Sequence, residues 1–304
     1  MNERYTRTRS TLLDHNLAPK KALGQNFLVH RHTAQAIVEA GMIGKDQVVV
    51  EVGVGLGALT RPLAAAARHV YGYEIDRGIV RMHSENNDLP GNVTLVHEDI
   101  LEVDFDELSK CCQGKLTILA NLPYSITNPF LFKLIDNAHL IARATIMVQK
   151  EVADRLTASP GSKEYGVPTI LLACCATVKQ VLLLKPAEFH PRPKIDSAVI
   201  AIDFSSGVNG FASPDFSPHD FQLLKKVVRA AFGQRRKTLT NSLSDTVLPM
   251  LAPHLERSMA KKLVEDLLIS QGHSPQVRPE MLTVTEFIAF CKTLSFALGL
   301  QQQG

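Results

Sequence analysis

Val48-Val49-Val50-Glu51-Val52-Gly53-Val54-Gly55-Leu56-Gly57 is a β-branched run that ends in a turn built on glycines. The run is short and almost wholly apolar, the pattern of a strand buried on both faces. Glycines placed after it make a tight turn and let the backbone approach a ligand closely. A helix is expected next, over 58–67, with Pro62 in its first turn. Working outward, strands are expected at 70–75, 93–97, 116–120 and 144–148, alternating with helices at 79–84 and 129–135. A further helix, 33–40, precedes the quoted stretch and stops at Gly41. Such alternation predicts a parallel, doubly wound α/β sheet.

After Gly166 the pattern changes. Two β-rich runs, 177–184 and 198–204, flank the proline-rich segment 185–193 and can close one edge of the sheet antiparallel. Residues 205–218 are rich in Ser, Gly, Pro and Asn and read as a linker. Beyond it only helical patterns follow, at 221–232, 259–270 and 285–298, so the C-terminal piece reads as a small all-α domain. The expected divisions are an N-terminal arm (1–30), the α/β domain (31–206) and the helical domain (215–304).

The chain has 304 residues, 45% hydrophobic and 21% charged, which is ordinary for a soluble globular protein. No apolar stretch approaches the roughly 20 residues needed to cross a bilayer, and the polar, basic start has no apolar segment behind it to serve as a secretory signal. A cytoplasmic location is expected. The five cysteines, Cys111, Cys112, Cys174, Cys175 and Cys291, lack metal-ligand spacing and read as reduced and structural; no metal is expected. The net charge of +3 does not by itself mark a nucleic-acid binder. Its distribution says more, with basic residues in the arm and again between Lys225 and Lys237.

Three features sit at successive strand ends. The glycine turn follows the first strand, Glu74 ends the second, and Asp99 follows the third. A carboxylate at Glu74 can bind both hydroxyls of a ribose, and Asp99 can accept from an adenine amino group. The turn reads GxGxG, one residue short of the dinucleotide fingerprint, and no GK[ST] P-loop is present. Together these suit an adenosine without phosphates, which suggests S-adenosylmethionine. At the end of a further strand, Asn121-Leu122-Pro123-Tyr124 presents an amide oxygen, a backbone carbonyl and an aromatic face. Two acceptors can take both hydrogens of an exocyclic amine while a ring stacks on its base.

These segments resemble the ribosomal RNA adenine dimethyltransferases of the KsgA type, to which the Erm methyltransferases are related. The matching residues are Leu23-Gly24-Gln25-Asn26-Phe27-Leu28, Glu51 to Thr60, Tyr73-Glu74-Ile75-Asp76, Glu98-Asp99-Ile100-Leu101, Asn121-Leu122-Pro123-Tyr124, Phe189 to Ala198 and Ala231 to Leu239. Gln234-Arg235-Arg236-Lys237-Thr238-Leu239 favours the KsgA type over Erm. Val54 stands where the family usually has Pro, and His97-Glu98-Asp99 replaces a Gly-Asp or Gln-Asp pattern. The resemblance implies a Rossmann-like class I methyltransferase with a helical C-terminal domain. It implies that Asn26, Leu28, Gly53, Glu74, Asp99 and Asn121 line the S-adenosylmethionine site. It implies a substrate too: two adjacent adenosines in a hairpin loop near the 3′ end of small-subunit ribosomal RNA, dimethylated at N6 during ribosome biogenesis.

On this reading Asn121 and a carbonyl near Leu122 accept from N6, and Tyr124 and Phe189 sandwich the adenine. Arg192, Lys194, Arg235, Arg236 and Lys237 are the candidate RNA contacts, and a monomer is expected. Three alternatives carry less. An Erm-like large-subunit enzyme conflicts with the Gln234 to Leu239 segment. A nicotinamide-dependent dehydrogenase lacks the glycine spacing. A non-catalytic RNA-binding assembly factor would not need Glu74, Asp99 and the Asn121 motif intact.

Overall fold

The computed structural model describes residues 3–15, 17–20, 23–205, 217–234 and 236–300. Its strands are β1 (Phe27–Leu28), β2 (Val48–Val52), β3 (His69–Glu74), β4 (Val93–His97), β5 (Leu116–Asn121), β6 (Ile141–Gln149), β7 (Thr177–Leu184), β8 (Phe189–His190) and β9 (Ser197–Asp203). Seven of them form one sheet in the order β4-β3-β2-β5-β6-β9-β7. The first five in that order run parallel, and β9 and β7 close the edge antiparallel. The doubly wound sheet and its antiparallel edge are therefore both as the sequence predicts.

Strand order explains where a ligand can sit. From β2 the chain winds one way to β3 and β4, then returns past β2 to β5 and β6. The reversal opens a crevice at the C-terminal ends of β2 and β5, the place where open α/β sheets bind ligands. Val49 and Val50 on β2, and Leu116 and Leu119 on β5, have no exposed surface. Strands so enclosed hold their ends rigidly, which fixes the residues that follow them.

The flanking helices in the first half are α1 (Glu3–Asp14), α2 (Arg31–Ala40), α3 (Thr60–Ala66), α4 (Arg77–Asn86), α5 (Phe105–Cys111) and α6 (Thr127–Asp136). Asp76 caps α4 by accepting from the Gly78 N–H, and Asp104 caps α5 by accepting from Asp106 and Glu107. The N-terminal segment, expected as an arm, is helical over α1. It then leads into β1, which pairs antiparallel with β8: Phe27 faces His190 and Leu28 faces Phe189. A two-residue ladder gives almost no sequence signal, and neither partner was foreseen as a strand.

The remaining helices are α7 (Lys150–Leu156), α8 (Val167–Cys175), α9 (Pro218–Gly233), α10 (Leu239–Thr246), α11 (Leu248–Leu251), α12 (Arg257–Ser270) and α13 (Val284–Ala297). Contacts divide the chain into two compact units, 1–153 with 177–206, and 154–176 with 207–304. The segment 154–176, expected within the α/β domain, thus groups by its contacts with the C-terminal helices. Burial explains it: Ile170, Leu171, Leu172 and Cys174 on α8 are fully buried, and α8 packs on α9 and α13. The linker expected at 205–218 falls mainly on 206–216, outside the described residues. No helix among the described residues is long and apolar enough to cross a membrane.

Candidate active site

A cleft opens at the C-terminal ends of β2, β3, β4 and β5, and Gly53, Glu74, Asp99 and Asn121 all line it. Each owes its place to its strand: Gly53 follows β2, Glu74 and Asn121 end β3 and β5, and Asp99 lies just past β4. Gly53 has φ +82, and a Cβ there would stand 2.9 Å from the Asn121 carbonyl oxygen. Only glycine meets both demands, so β2 and β5 come together at this point.

Glu74 is buried, and both its oxygens are bonded. The Gly55 N–H donates to Oε2 at 2.9 Å and the Asp76 N–H to Oε1 at 2.9 Å. Burial raises its pKa, and the two N–H donors pull it back only in part. Asp99 is half-buried and accepts from the Leu101 N–H at 2.9 Å, which orients its carboxylate. Asn121 donates through Nδ2 to the Asn26 carbonyl at 3.3 Å. That bond assigns the amide and leaves Oδ1 as an acceptor, the role an incoming amine requires.

The arm completes the wall. Leu23, Gln25, Asn26 and Phe27 line the cleft. Asp76 accepts from Lys20 Nζ at 2.6 Å and from Gln25 Nε2 at 2.9 Å. Burial would raise the Asp76 pKa, but these donors and the Gly78 N–H lower it below the usual carboxylate range. Gln25 lies in the quoted Leu23 to Leu28 segment, yet nothing in its type announced a bond to Asp76. Glu98, Phe27 and Ile100 also line the cleft, and sequence reasoning gave none of them a place there.

Two expected residues are buried. Leu28 is 5% exposed and packs in an apolar cluster, and it lines a small recess beside the cleft with Gly53, Gly55 and Asn121. Phe189 is 1% exposed, in the same cluster with Leu28, Leu184 and Val199. Pairing of β8 with β1 leaves its ring covered, so Phe189 offers no exposed stacking face. Leu122 is buried and lines the cleft. Tyr124 is half-buried, and its hydroxyl lies 2.6 Å from Ser197 Oγ. Burial raises the Tyr124 pKa against the pull of that bond, so the ring stays a neutral phenol.

Among the described residues, three carboxylates line the cleft, Glu74, Glu98 and Asp99, and no Lys, Arg or His does. A pyrophosphate would meet repulsion here, whereas a cationic adenosine derivative meets attraction. The lining therefore fits S-adenosylmethionine, whose hydroxyls and exocyclic amine call for acceptors such as the Glu74 and Asp99 carboxylates.

The family model for ribosomal RNA adenine dimethylase matches residues 16–267. This chain belongs to that family. A ribosomal RNA small subunit methyltransferase A from Desulfotalea psychrophila is 54% identical over 284 residues, covering 93% of this chain and 94% of the relative. One from Syntrophus aciditrophicus is 36% identical, covering 96% and 100%. A solved dimethyladenosine transferase from Plasmodium falciparum superposes with a TM-score of 0.72 at 25% identity, covering 90% of this chain and 98% of that one. The 23S rRNA methyltransferase ErmE shares the fold, with a TM-score of 0.63 at 23% identity over 89% of this chain and 100% of its own. Family membership makes this chain an adenine dimethyltransferase with a Rossmann-like sheet and a helical C-terminal region.

The basic candidates differ in their surroundings. Arg192, Lys194 and Arg236 are exposed. Lys237 is held 3.0 Å from Asp245, which Arg257 also meets at 2.6 Å; Lys237 first, then Arg257, lowers the Asp245 pKa. Lys225 is buried, its ammonium over the Phe221 ring at 5.3 Å. Arg235 lies outside the described residues.

Proposed function

We propose that this chain transfers methyl groups from S-adenosylmethionine to N6 of adenines in small-subunit ribosomal RNA, giving N6,N6-dimethyladenosine. The observation that carries the reading is the acid-lined cleft, free of basic side chains among the described residues, with the Asn121-Leu122-Pro123-Tyr124 segment at its edge. The names borne by the Desulfotalea and Syntrophus relatives support the choice of small-subunit RNA. The target proposed is a pair of adjacent adenosines in a hairpin loop near the 3′ end.

When bound, S-adenosylmethionine supplies a methyl group already activated on a cationic sulfur. The protein's task is then to place the amine nitrogen in line. Asn121 Oδ1 and the backbone carbonyl near Leu122 accept the two N6 hydrogens and favour a more tetrahedral, reactive nitrogen. Asn121 has no useful basicity, so the proton leaves to water after transfer. Tyr124 stacks on the extruded base, with its hydroxyl steadied by Ser197. Stacking of this kind is worth roughly 1–3 kcal/mol per base. Arg192, Lys194, Arg236 and Lys237 supply phosphate contacts, and the arm residues Asn26 and Leu28 support the cofactor wall.

The test is transfer of label from S-adenosylmethionine to small ribosomal subunits purified from a strain lacking the modification, with nucleoside analysis. Dimethyladenosine in the small-subunit RNA is expected. Label appearing only in large-subunit RNA would replace this reading with an Erm-like one.

A further inference from the structure

Behind the glycine turn, on the side away from the cleft, lies a polar cluster that the chemistry above does not use. His83 on α4 is buried, with 2% of its surface exposed. Its Nε2 stands 2.8 Å from the Gly55 carbonyl oxygen and its Nδ1 stands 2.6 Å from Asp88 Oδ1. The Gly55 carbonyl can only accept, so Nε2 donates to it. Arg61 on α3 donates through Nη1 to the Leu56 carbonyl at 3.1 Å and the Gly57 carbonyl at 3.2 Å. Its Nη2 donates to Asp88 Oδ2 at 2.6 Å. Three consecutive carbonyls of the turn are thus taken by two side chains, and both are anchored on one carboxylate.

The geometry is directional. Gly55 donates its N–H to Glu74 Oε2 at 2.9 Å and offers its carbonyl to His83 at 2.8 Å. Fixing that carbonyl fixes the plane of the Gly55–Leu56 peptide and holds the Leu56 N–H pointing away from His83. Gly57 has φ +74, and a Cβ there would run into the Arg61 guanidinium. Among the described residues the Asp88 carboxylate is met by this pair: burial would raise its pKa, and His83, then Arg61, brings it below the carboxylate range. A turn of glycines is otherwise loose, since glycine surrenders the most backbone freedom on ordering.

We infer that His83, Arg61 and Asp88 are positioning residues for the cofactor, setting the glycine turn and through it the Glu74 carboxylate. The inference rests on the proposed S-adenosylmethionine site. Its test is calorimetric titration of S-adenosylmethionine into the full chain and into His83→Leu, His83→Gln and Asp88→Asn, alongside KM for cofactor and for RNA. Glutamine can present an amide N–H where Nε2 stands; leucine cannot. His83→Leu is expected to weaken cofactor binding by about tenfold or more, the effect of losing a buried donor. His83→Gln should restore most of it, and KM for RNA should not move.

Equal affinity of wild type and His83→Leu would overturn the inference. So would a loss that glutamine fails to rescue, because a merely structural role would lower the melting midpoint without that distinction. Should His83→Leu not fold, wild-type affinity in Asp88→Asn would overturn it instead. Absence of binding by the wild type would sink the cofactor reading itself, a result distinct from either.

Discussion

Glu51, the acid of the opening strand, is completely buried and, among the described residues, bonded on one oxygen only, to the Thr60 hydroxyl at 3.0 Å. Burial, opposed by Thr60 and aided by Glu74, lifts its pKa from 4.5 to about 8. A carboxyl whose folded pKa is raised favours the folded state at low pH. That contribution is full below about 4.5, where the unfolded chain's carboxyl is protonated too, and is lost as pH rises through about 8. The melting midpoint of wild type should therefore fall across this window, and Glu51→Gln should flatten the fall. An unchanged slope in Glu51→Gln would show that Glu51 is ionised in the fold. Asn121→Ala separates chemistry from binding at the same scale. It should reduce methyl transfer by orders of magnitude while RNA affinity stays near normal; retained turnover would remove Asn121 from the acceptor role.

The β1–β8 ladder shows what a sequence conceals about elements. The glycine turn, Glu74, Asp99 and Asn121 could be placed because each ends a strand with a strong β-branched or apolar run. A pairing of two residues with two has no periodicity to read, so Phe189 was assigned by its loop and not by its register. Helix α8 was missed for a related reason: Ile170 to Ala173 is apolar all round, without the alternation of polar and apolar faces that marks a surface helix. Phe189 now carries a prediction of its own. As a fully packed core residue, its change to Ala should cost about 3–5 kcal/mol of stability, measured by denaturant unfolding. A loss under about 1 kcal/mol, with methyl transfer abolished, would return the ring to the adenine.

For the whole molecule, charge distribution outweighs net charge. A phosphate contact contributes close to one to the slope of log affinity against log salt. Arg236, exposed in the C-terminal unit, should lower that slope by about one when changed to Ala. Lys237→Ala should lower it by less, because Asp245 already offsets its charge at 3.0 Å. Equal effects would mean that the Asp245 pair opens on RNA. The basic residues were legible as types, but only the fold divides the exposed from the paired.

The acid-lined cleft has a consequence for turnover. On the proposed reading the spent cofactor is a neutral thioether, whereas the fresh one is a sulfonium cation. Glu74, Glu98 and Asp99 attract the cation and not the thioether, so the walls themselves favour replacing spent cofactor with fresh. Successive methylations of one nitrogen require such exchange each time. Neutralising Glu98 by Glu98→Gln should narrow the ratio of S-adenosylhomocysteine to S-adenosylmethionine dissociation constants and strengthen product inhibition; an unmoved ratio would mean that the exchange is driven from elsewhere.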